Sequence, residues 1–300
     1  MLQALFDPIL PIFAVLAVGF FLRKRQVVDA SHATEINRFV FFLSAPALVF
    51  IIFARAPLGD LNLPVLASYF VAEVLIYSAI AFLSYKAFRL PLAESFLLGM
   101  AAVFSNHVFF VRPIAILTYG ETAALPIAGV IVVDVITFCG TVFLVDAVTN
   151  SDKGVSSAAK GLVRNPFVYA PVFGAVAWWA GDIVPSGIFT LTDFAGAAAA
   201  PVSLFALGVV LAGAPLRPLG ALVIAVIASK LLLHPFLVSS GTSLFGESSN
   251  WRDMAILVAA GPCGAMPFVI ALQYGVEVRR IAIAVFYSTV ISVLSLSMLI

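Results

Sequence analysis

Two short stretches of the chain hold residue types that can handle an anion in an apolar setting. One reads Phe104-Ser105-Asn106-His107-Val108-Phe109-Phe110-Val111-Arg112-Pro113. The other reads Ala260-Gly261-Pro262-Cys263-Gly264-Ala265-Met266-Pro267. From the first, Ser105, Asn106, His107, Arg112 and Pro113 are candidate substrate-binding residues; from the second, Gly261, Pro262, Cys263, Gly264 and Pro267. Proline removes a backbone N–H and crowds the preceding turn, so each helix is expected to open at Pro113 and Pro267. Opened turns bare N–H and C=O groups, which lipid tolerates only where they face protein or a watery cavity. The half-helices that follow begin with a partial positive charge that favours an anion. Arg112 adds a planar fork of donors suited to a carboxylate. Asn106 offers both a donor and an acceptor. Plainer readings stand beside these. The prolines are simple kinks; Arg112 pairs with Asp134 or Glu73 as structural glue; Asn106 and His107 satisfy opened backbone groups.

A second set of residues could move an ion. Asp134 stands mid-way through the apolar run Ile131-Val132-Val133-Asp134-Val135-Ile136. An isolated buried carboxylate holds a proton more readily than it stays charged, so Asp134 is a candidate proton carrier. His107 adds an imidazole that titrates near neutral pH. Glu73 and Lys230 fall at similar depths of two apolar segments, and His234-Pro235 follows Lys230 by one turn. Glu73, Asp134, Lys230 and His234 are therefore assigned to ion coupling or to its structural support. Lys230 either pairs with Glu73 or answers the second broken segment. Cys139 and Cys263 both lie in apolar runs, which fits reduced packing residues and no disulfide or metal site.

The elements that position these residues must be membrane helices. The chain has 300 residues, is 63% hydrophobic and only 10% charged, against about 25% charged in soluble domains. Its mean hydropathy is +1.14. A span needs about 20 apolar residues, and charges and turn residues cut the sequence into ten such segments. The expected spans are 4–22, 36–54, 63–85, 92–118, 122–146, 165–181, 188–212, 216–239, 253–273 and 278–299. All are read as α-helices, because an open sheet leaves its edges unsatisfied in lipid. The net charge of +1 and the lack of a basic cluster argue against nucleic acid as a partner.

Orientation follows from where Lys and Arg fall. Arg23, Lys24, Arg25, Arg38, Lys86, Arg89, Lys153, Lys160, Arg164, Arg217, Arg279 and Arg280 belong to the loops after spans 1, 3, 5, 7 and 9. Only Arg55 and Arg252 belong to the opposite loops. Both termini are therefore expected on the non-cytoplasmic side.

The second half of the chain echoes the first at an offset of 155 residues. Pro11 matches Pro166 and Gly19 matches Gly174; Phe39, Pro46 and Phe50 match Phe194, Pro201 and Phe205; Tyr119-Gly120 matches Tyr274-Gly275. The expected organisation is a first five-helix repeat over 1–148, a cytoplasmic linker over 149–163 and a second five-helix repeat over 164–300. Five is odd, so the second repeat enters the membrane inverted. Inverted repeats with interrupted spans at corresponding positions, here spans 4 and 9, are a mark of secondary transporters.

The chain resembles the auxin efflux carrier family, in its short bacterial branch that includes malonate and other dicarboxylate carriers. The likeness covers the whole chain. It rests on Asn37-Arg38-Phe39-Val40 leading to Ala45-Pro46-Ala47-Leu48, on Phe104-Ser105-Asn106 with Pro113 and Tyr119-Gly120, and on Asn165-Pro166, Leu207-Gly208, Lys230-Leu231 and His234-Pro235. The resemblance implies ten spans in two inverted repeats of five. It also implies that spans 4 and 9 cross at their prolines, where substrate binds, and that a scaffold part and a transport part move against each other. Gly261, Cys263 and Gly264 then let the backbones approach closely. Arg112 departs from the family pattern, in which an apolar residue commonly precedes this proline. That departure favours a compact dianion over a plant hormone.

The expected function is alternating-access transport of a small organic anion, a malonate- or malate-like dicarboxylate. H+ or Na+ is the expected coupling ion, and no other cofactor or metal is expected. The other readings are efflux of auxin-like monocarboxylates, and a channel or sensory membrane domain. An enzyme is not expected, since the chain lacks a His-Glu-x-x-His pair and a Gly-x-Ser-x-Gly elbow. Absence of a Gly-Lys-Ser/Thr phosphate loop argues against ATP-driven pumping. The partners are the organic anion, the lipid bilayer and, as an open option, a second copy of the chain. The expected location is the bacterial inner membrane.

Overall fold

A computed structural model describes residues 2–56, 58–150, 166–213, 219–246 and 249–297. Past Asn150 the expected linker, with Lys153, Lys160, Arg164 and Asn165, falls outside the described residues, as does Arg217. The described chain is helical. The helices are α1 (Leu2–Lys24), α2 (Ala30–Phe39), α3 (Ala45–Ala54), α4 (Leu63–Lys86), α5 (Leu92–Ala101), α6 (Arg112–Tyr119), α7 (Glu121–Ala124) and α8 (Ile127–Thr149). After the linker come α9 (Pro166–Ala180), α10 (Ser186–Ala197), α11 (Ala199–Gly213), α12 (Ala221–Ala228), α13 (His234–Leu244), α14 (Asn250–Ala259), α15 (Met266–Gln273) and α16 (Arg279–Ser297).

Six helical stretches are long and apolar enough to cross a membrane: Ala30–Ala54, Leu63–Lys86, Glu121–Thr149, Ser186–Gly213, Ala221–Leu244 and Arg279–Leu296. The protein is thus a multi-pass membrane protein. The expected fourth span appears as two shorter apolar helices, Leu92–Ala101 and His107–Tyr119.

Proline sets the local geometry in a consistent way. Three wide π-turns interrupt the helices, at Val40–Ser44, His107–Val111 and Ser229–Leu233. Each is followed by one residue and then a proline: Pro46, Pro113 and Pro235. A proline ring collides with the carbonyl four residues before it. Widening the turn by one residue relieves that collision and keeps the helix continuous. The N–H groups of Ala45 and His234 accordingly donate five residues back, to Val40 and Ser229.

The described chain forms two compact units. The first comprises Met1–Leu61, Val108–Gly129 and Val163–Gly213; the second comprises Asn62–His107, Val130–Leu162 and Ala214–Ile300. Each unit draws on both sequence halves, so the repeat boundary is not the spatial boundary.

In the first unit α1 packs on α11, and α3 packs on α9 and α10. These contacts are close because glycine stands in them. A Cβ on Gly19 would lie 2.1 Å from the carbonyl oxygen of Phe205, and one on Gly174 would lie 2.5 Å from that of Phe50. Gly19 and Gly174, like Phe50 and Phe205, are 155 residues apart in sequence. The two contacts therefore exchange under the repeat offset. Small residues let helix backbones approach where lipid supplies no hydrophobic drive.

In the second unit α4 packs on α5 and α13, α13 on α14, α12 on α16, and α5 on α15 and α16. Helix α4 starts at Asn62, whose side chain accepts from the Val65 N–H at 3.0 Å, with Pro64 in the first turn. Proline costs nothing there, because that N–H has no helical partner. One face of α4 buries Tyr69, Glu73, Ile76 and Ile80, while Phe70, Val74, Leu75 and Phe82 are exposed. The exposed face is apolar, as a lipid-facing surface must be.

Candidate functional site

Within the second unit, α5 and α14 each end in an unwound turn, and the two turns meet. Ser105 and Cys263 pair as an isolated antiparallel bridge. The Asn106 N–H donates to the Pro262 carbonyl at 3.0 Å, and the Gly264 N–H donates to the Phe104 carbonyl at 2.8 Å. The Cys263 N–H donates to Ser288 Oγ at 3.1 Å. Backbone groups stripped of helical partners are thus satisfied by each other. A Cβ on Gly264 would stand 2.7 Å from the Phe104 ring, which explains why glycine occupies that position.

The crossing does not fall at Pro113 and Pro267. Pro267 lies in the first turn of α15, where the N–H that proline lacks is not used. Pro113 lies just past the π-turn His107–Val111, inside the helix His107–Tyr119. In both stretches the opening lies upstream of the proline. Pro113 belongs to the first unit, whereas Ser105, Asn106 and His107 belong to the second. Gly261, Pro262, Cys263 and Gly264 make up the second opened turn, and Pro262 supplies one of its acceptors.

The carbonyls at the end of α14 receive two side chains. Ser105 Oγ donates to the Val258 carbonyl at 2.5 Å, and Lys230 Nζ donates to that of Ala259. A helix C-terminus carries partial negative charge, so an ammonium placed there is favoured. Lys230 Nζ also lies 3.3 Å from His234 Nδ1. The His234 ring stacks at 4.9 Å on Tyr69. Of the two partners open to Lys230, Glu73 or the second broken segment, the structure gives the segment.

Around this crossing the second unit buries an unusual density of ionisable groups. Glu73, Asp134, Lys230 and His234 have no exposed surface, and His107 is also buried. The carboxyl of Asp134 acts electrostatically on that of Glu73, and both act on Lys230. Thr137 Oγ1 donates to Glu73 Oε2 at 2.6 Å. His107 Nδ1 stands 2.6 Å from Asp134 Oδ2, in contact but not aligned as a hydrogen bond. As two carboxylates, Glu73 and Asp134 leave Glu73 Oε1 and both Asp134 oxygens without a donor among the described residues. An unmet buried acceptor is costly, so the pair has a place for one proton. Among the described residues no three His, Cys, Asp or Glu side chains are grouped to hold a metal ion.

Arg112 belongs to the first unit, whereas Asp134 and Glu73 belong to the second. It opens α6 in the first unit, half-buried, and the charges acting on it are those of Glu121 and Arg55. Three contributors to the crossing escape sequence reading: Ser288, Thr137 and Tyr69. Hydroxyls on apolar helices are too common to mark a site, and only folding brings them to one. A part-buried ion pair between Arg280 and Glu94 at 2.6 Å in the second unit also gave no signal.

Comparison with known proteins fits this geometry. A family model described as membrane transport protein matches the chain over residues 4–159 and 153–300. A Rhizobium meliloti (strain 1021) protein named "Putative malonate transporter" is 31% identical over 297 residues, covering 95% of this chain and 91% of the relative. An "Uncharacterized transporter" of Methanothermobacter thermautotrophicus is 22% identical, covering 97% and 95%. The "Uncharacterized transporter YfdV" of Escherichia coli (strain K12) is 23% identical, covering 93% and 91%.

Proposed function

The chain belongs to the membrane transport protein family, the auxin efflux carriers that its motifs resemble, and on that premise we propose that it is a secondary active transporter of a small organic dianion of malonate or malate type. The carrying observation is the buried crossing of two opened helices in the second unit, lined by Glu73, Asp134, His107 and Lys230. A site that only held the fold together would not gather two carboxyls without a matching set of donors. The name of the 31% identical relative supports a malonate-type substrate. Family and relatives carry solutes, which supports a carrier over an enzyme.

In this reading ten spans form two inverted repeats of five. The repeat-related contacts of Gly19 and Gly174 support it. So do the opened turns of the fourth and ninth expected spans, which meet at Ser105 and Cys263. Two similar halves of opposite orientation have two packings of near-equal energy, one open to each side. Ser105, Asn106 and the opened turn Gly261–Gly264 offer polar groups to the substrate. The coupling ion is a proton held between Glu73 and Asp134. One fixed cation, Lys230, balances one negative charge, so the pair keeps one proton while Lys230 stays charged. Substrate and proton together change the charge of the site less than the dianion alone. The protein sits in the bacterial inner membrane with both termini outside, as its Lys and Arg distribution implies.

The test is uptake by purified protein in liposomes, with labelled malonate and malate and imposed pH or sodium gradients. Accumulation of a dicarboxylate driven by the pH gradient is the expected result. Accumulation driven only by sodium would refute proton coupling, and uptake of no organic anion would refute the carrier reading.

A further inference from the structure

One end of α4 carries two cations that the second unit does not answer. The helix ends at Lys86, and Arg89 follows in the turn that leads to α5. Both side chains are exposed. Among the described residues neither joins an ion pair. Glu94, the acid nearest in sequence, is buried and held by Arg280 at 2.6 Å. Lys86 Nζ rests 4.9 Å from the centre of the Tyr85 ring. Tyr85, Lys86, Arg89 and Leu90 line an open hollow of about 320 Å³.

Exposed charges are commonly just solvated, so the backbone is the more telling feature. Arg89 takes a left-handed conformation, with φ of 53°. Around it the Phe88 N–H donates to the Leu83 carbonyl at 3.3 Å and the Leu90 N–H to that of Ser84 at 3.1 Å, which closes the end of α4. Glycine is the usual residue in such a turn, because a Cβ crowds the backbone there. Among the described residues six positions have positive φ, and four of them are glycine: Gly120, Gly181, Gly246 and Gly275. A cation does suit a helix C-terminus, but Lys86 already supplies one in the last turn. Closing the helix needs no guanidinium at position 89, whereas holding an anion does.

The approach to the hollow fits a lipid. Val71, Val74, Leu75, Phe82 and Tyr85 are exposed and recur at helical spacing along one face of α4. This apolar stripe runs up to Lys86, where the stretch long enough to cross a membrane ends. Two cations therefore stand at the level of the headgroups, with surface for an acyl chain beside them. A guanidinium fork and an ammonium both suit phosphate oxygens.

We propose that Tyr85, Lys86 and Arg89 form a binding site for an anionic phospholipid, with its phosphate between Lys86 and Arg89 and an acyl chain along Leu75 and Phe82. The site does not depend on what the protein carries. Inorganic phosphate shares the headgroup's chemistry but has nothing to lay on the apolar stripe.

The experiment is native mass spectrometry of the full-length protein in detergent, titrated with phosphatidylglycerol, phosphatidylcholine or inorganic phosphate. The wild type should bind phosphatidylglycerol in preference to the other two. Loss of hydrogen bonds to a charged group corresponds to about 10- to 100-fold in affinity. Arg89→Gly should therefore raise the phosphatidylglycerol Kd by at least about 10-fold. Its thermal unfolding without lipid should come no earlier than that of the wild type, because glycine relieves the turn. Lys86→Gln leaves the turn untouched and should show a loss of similar size; it decides the matter if Arg89→Gly unfolds early. Arg25→Gln removes a cation at the end of α1, outside the hollow, and should leave the Kd unchanged. An unchanged Kd in Lys86→Gln or in folded Arg89→Gly would overturn the site. An equal loss in Arg25→Gln would reduce it to general surface charge. Phosphate that binds as tightly as phosphatidylglycerol, or equal binding of the two lipids, would overturn recognition of an anionic lipid.

Discussion

The two units solve the problem of packing in lipid differently. The first brings backbones together: Gly19 sits against Phe205 and Gly174 against Phe50, at distances no side chain tolerates. Its ion pair, Arg55 with Asp193, is exposed. The second unit buries Glu73, Asp134, His107, Lys230 and His234 and opens two helices among them. Close packing of small residues has one low-energy arrangement and resists change. A cluster of buried ionisable groups changes its preferences with each proton or anion it gains. The first unit is thus held by close backbone packing, and the second by a cluster of buried charge.

The sharpest way to break this contrast is to neutralise the fixed cation of the second unit. Lys230→Met removes the donor to the Ala259 carbonyl and leaves Glu73 and Asp134 with no counter-charge. Breaking a buried charge partnership costs about 3–5 kcal/mol. Thermal unfolding of purified protein should show a large loss of stability, and malonate uptake should vanish. A variant with wild-type stability and uptake would show that the cluster is no site at all.

Smaller effects separate packing in the first unit from packing elsewhere. Gly19→Ala and Gly174→Ala each force a methyl group onto a backbone carbonyl, at a cost of about 1–3 kcal/mol. Because the two contacts are related by the repeat offset, the two losses should match within error. Gly140 in α8 has open space where its Cβ would stand. Gly140→Ala should accordingly stabilise by about 0.5–1 kcal/mol. Unequal losses at Gly19 and Gly174 in thermal unfolding would weaken the repeat, and a loss at Gly140 would weaken the packing argument.

Much of this was legible in the residues. Composition alone demands membrane helices, and the 155-residue offset pairs Gly19 with Gly174 before any contact is known. Asp134, Glu73, Lys230 and His234 stand out because a charge in an apolar run needs a reason. The position of the crossing was not legible. Pro113 and Pro267 are the loudest signals in their stretches, but the structure uses Pro267 to open a helix and accommodates Pro113 behind a π-turn, with the opened turns upstream of both. The true meeting point, Ser105 with Cys263, involves quiet residues whose backbones matter more than their side chains. Arg112 illustrates the same limit. Sequence shows a guanidinium near a break, but not that it belongs to the first unit while the opened turns belong to the second.

The most direct measurement is malonate accumulation in proteoliposomes against its own gradient, driven by an imposed pH gradient, for wild type and Asp134→Asn. In the proposed mechanism an amide at position 134 cannot carry the coupling proton. The variant should still exchange labelled for unlabelled malonate, yet accumulate none. An Asp134→Asn variant that concentrates malonate as well as the wild type would contradict proton coupling through the buried pair.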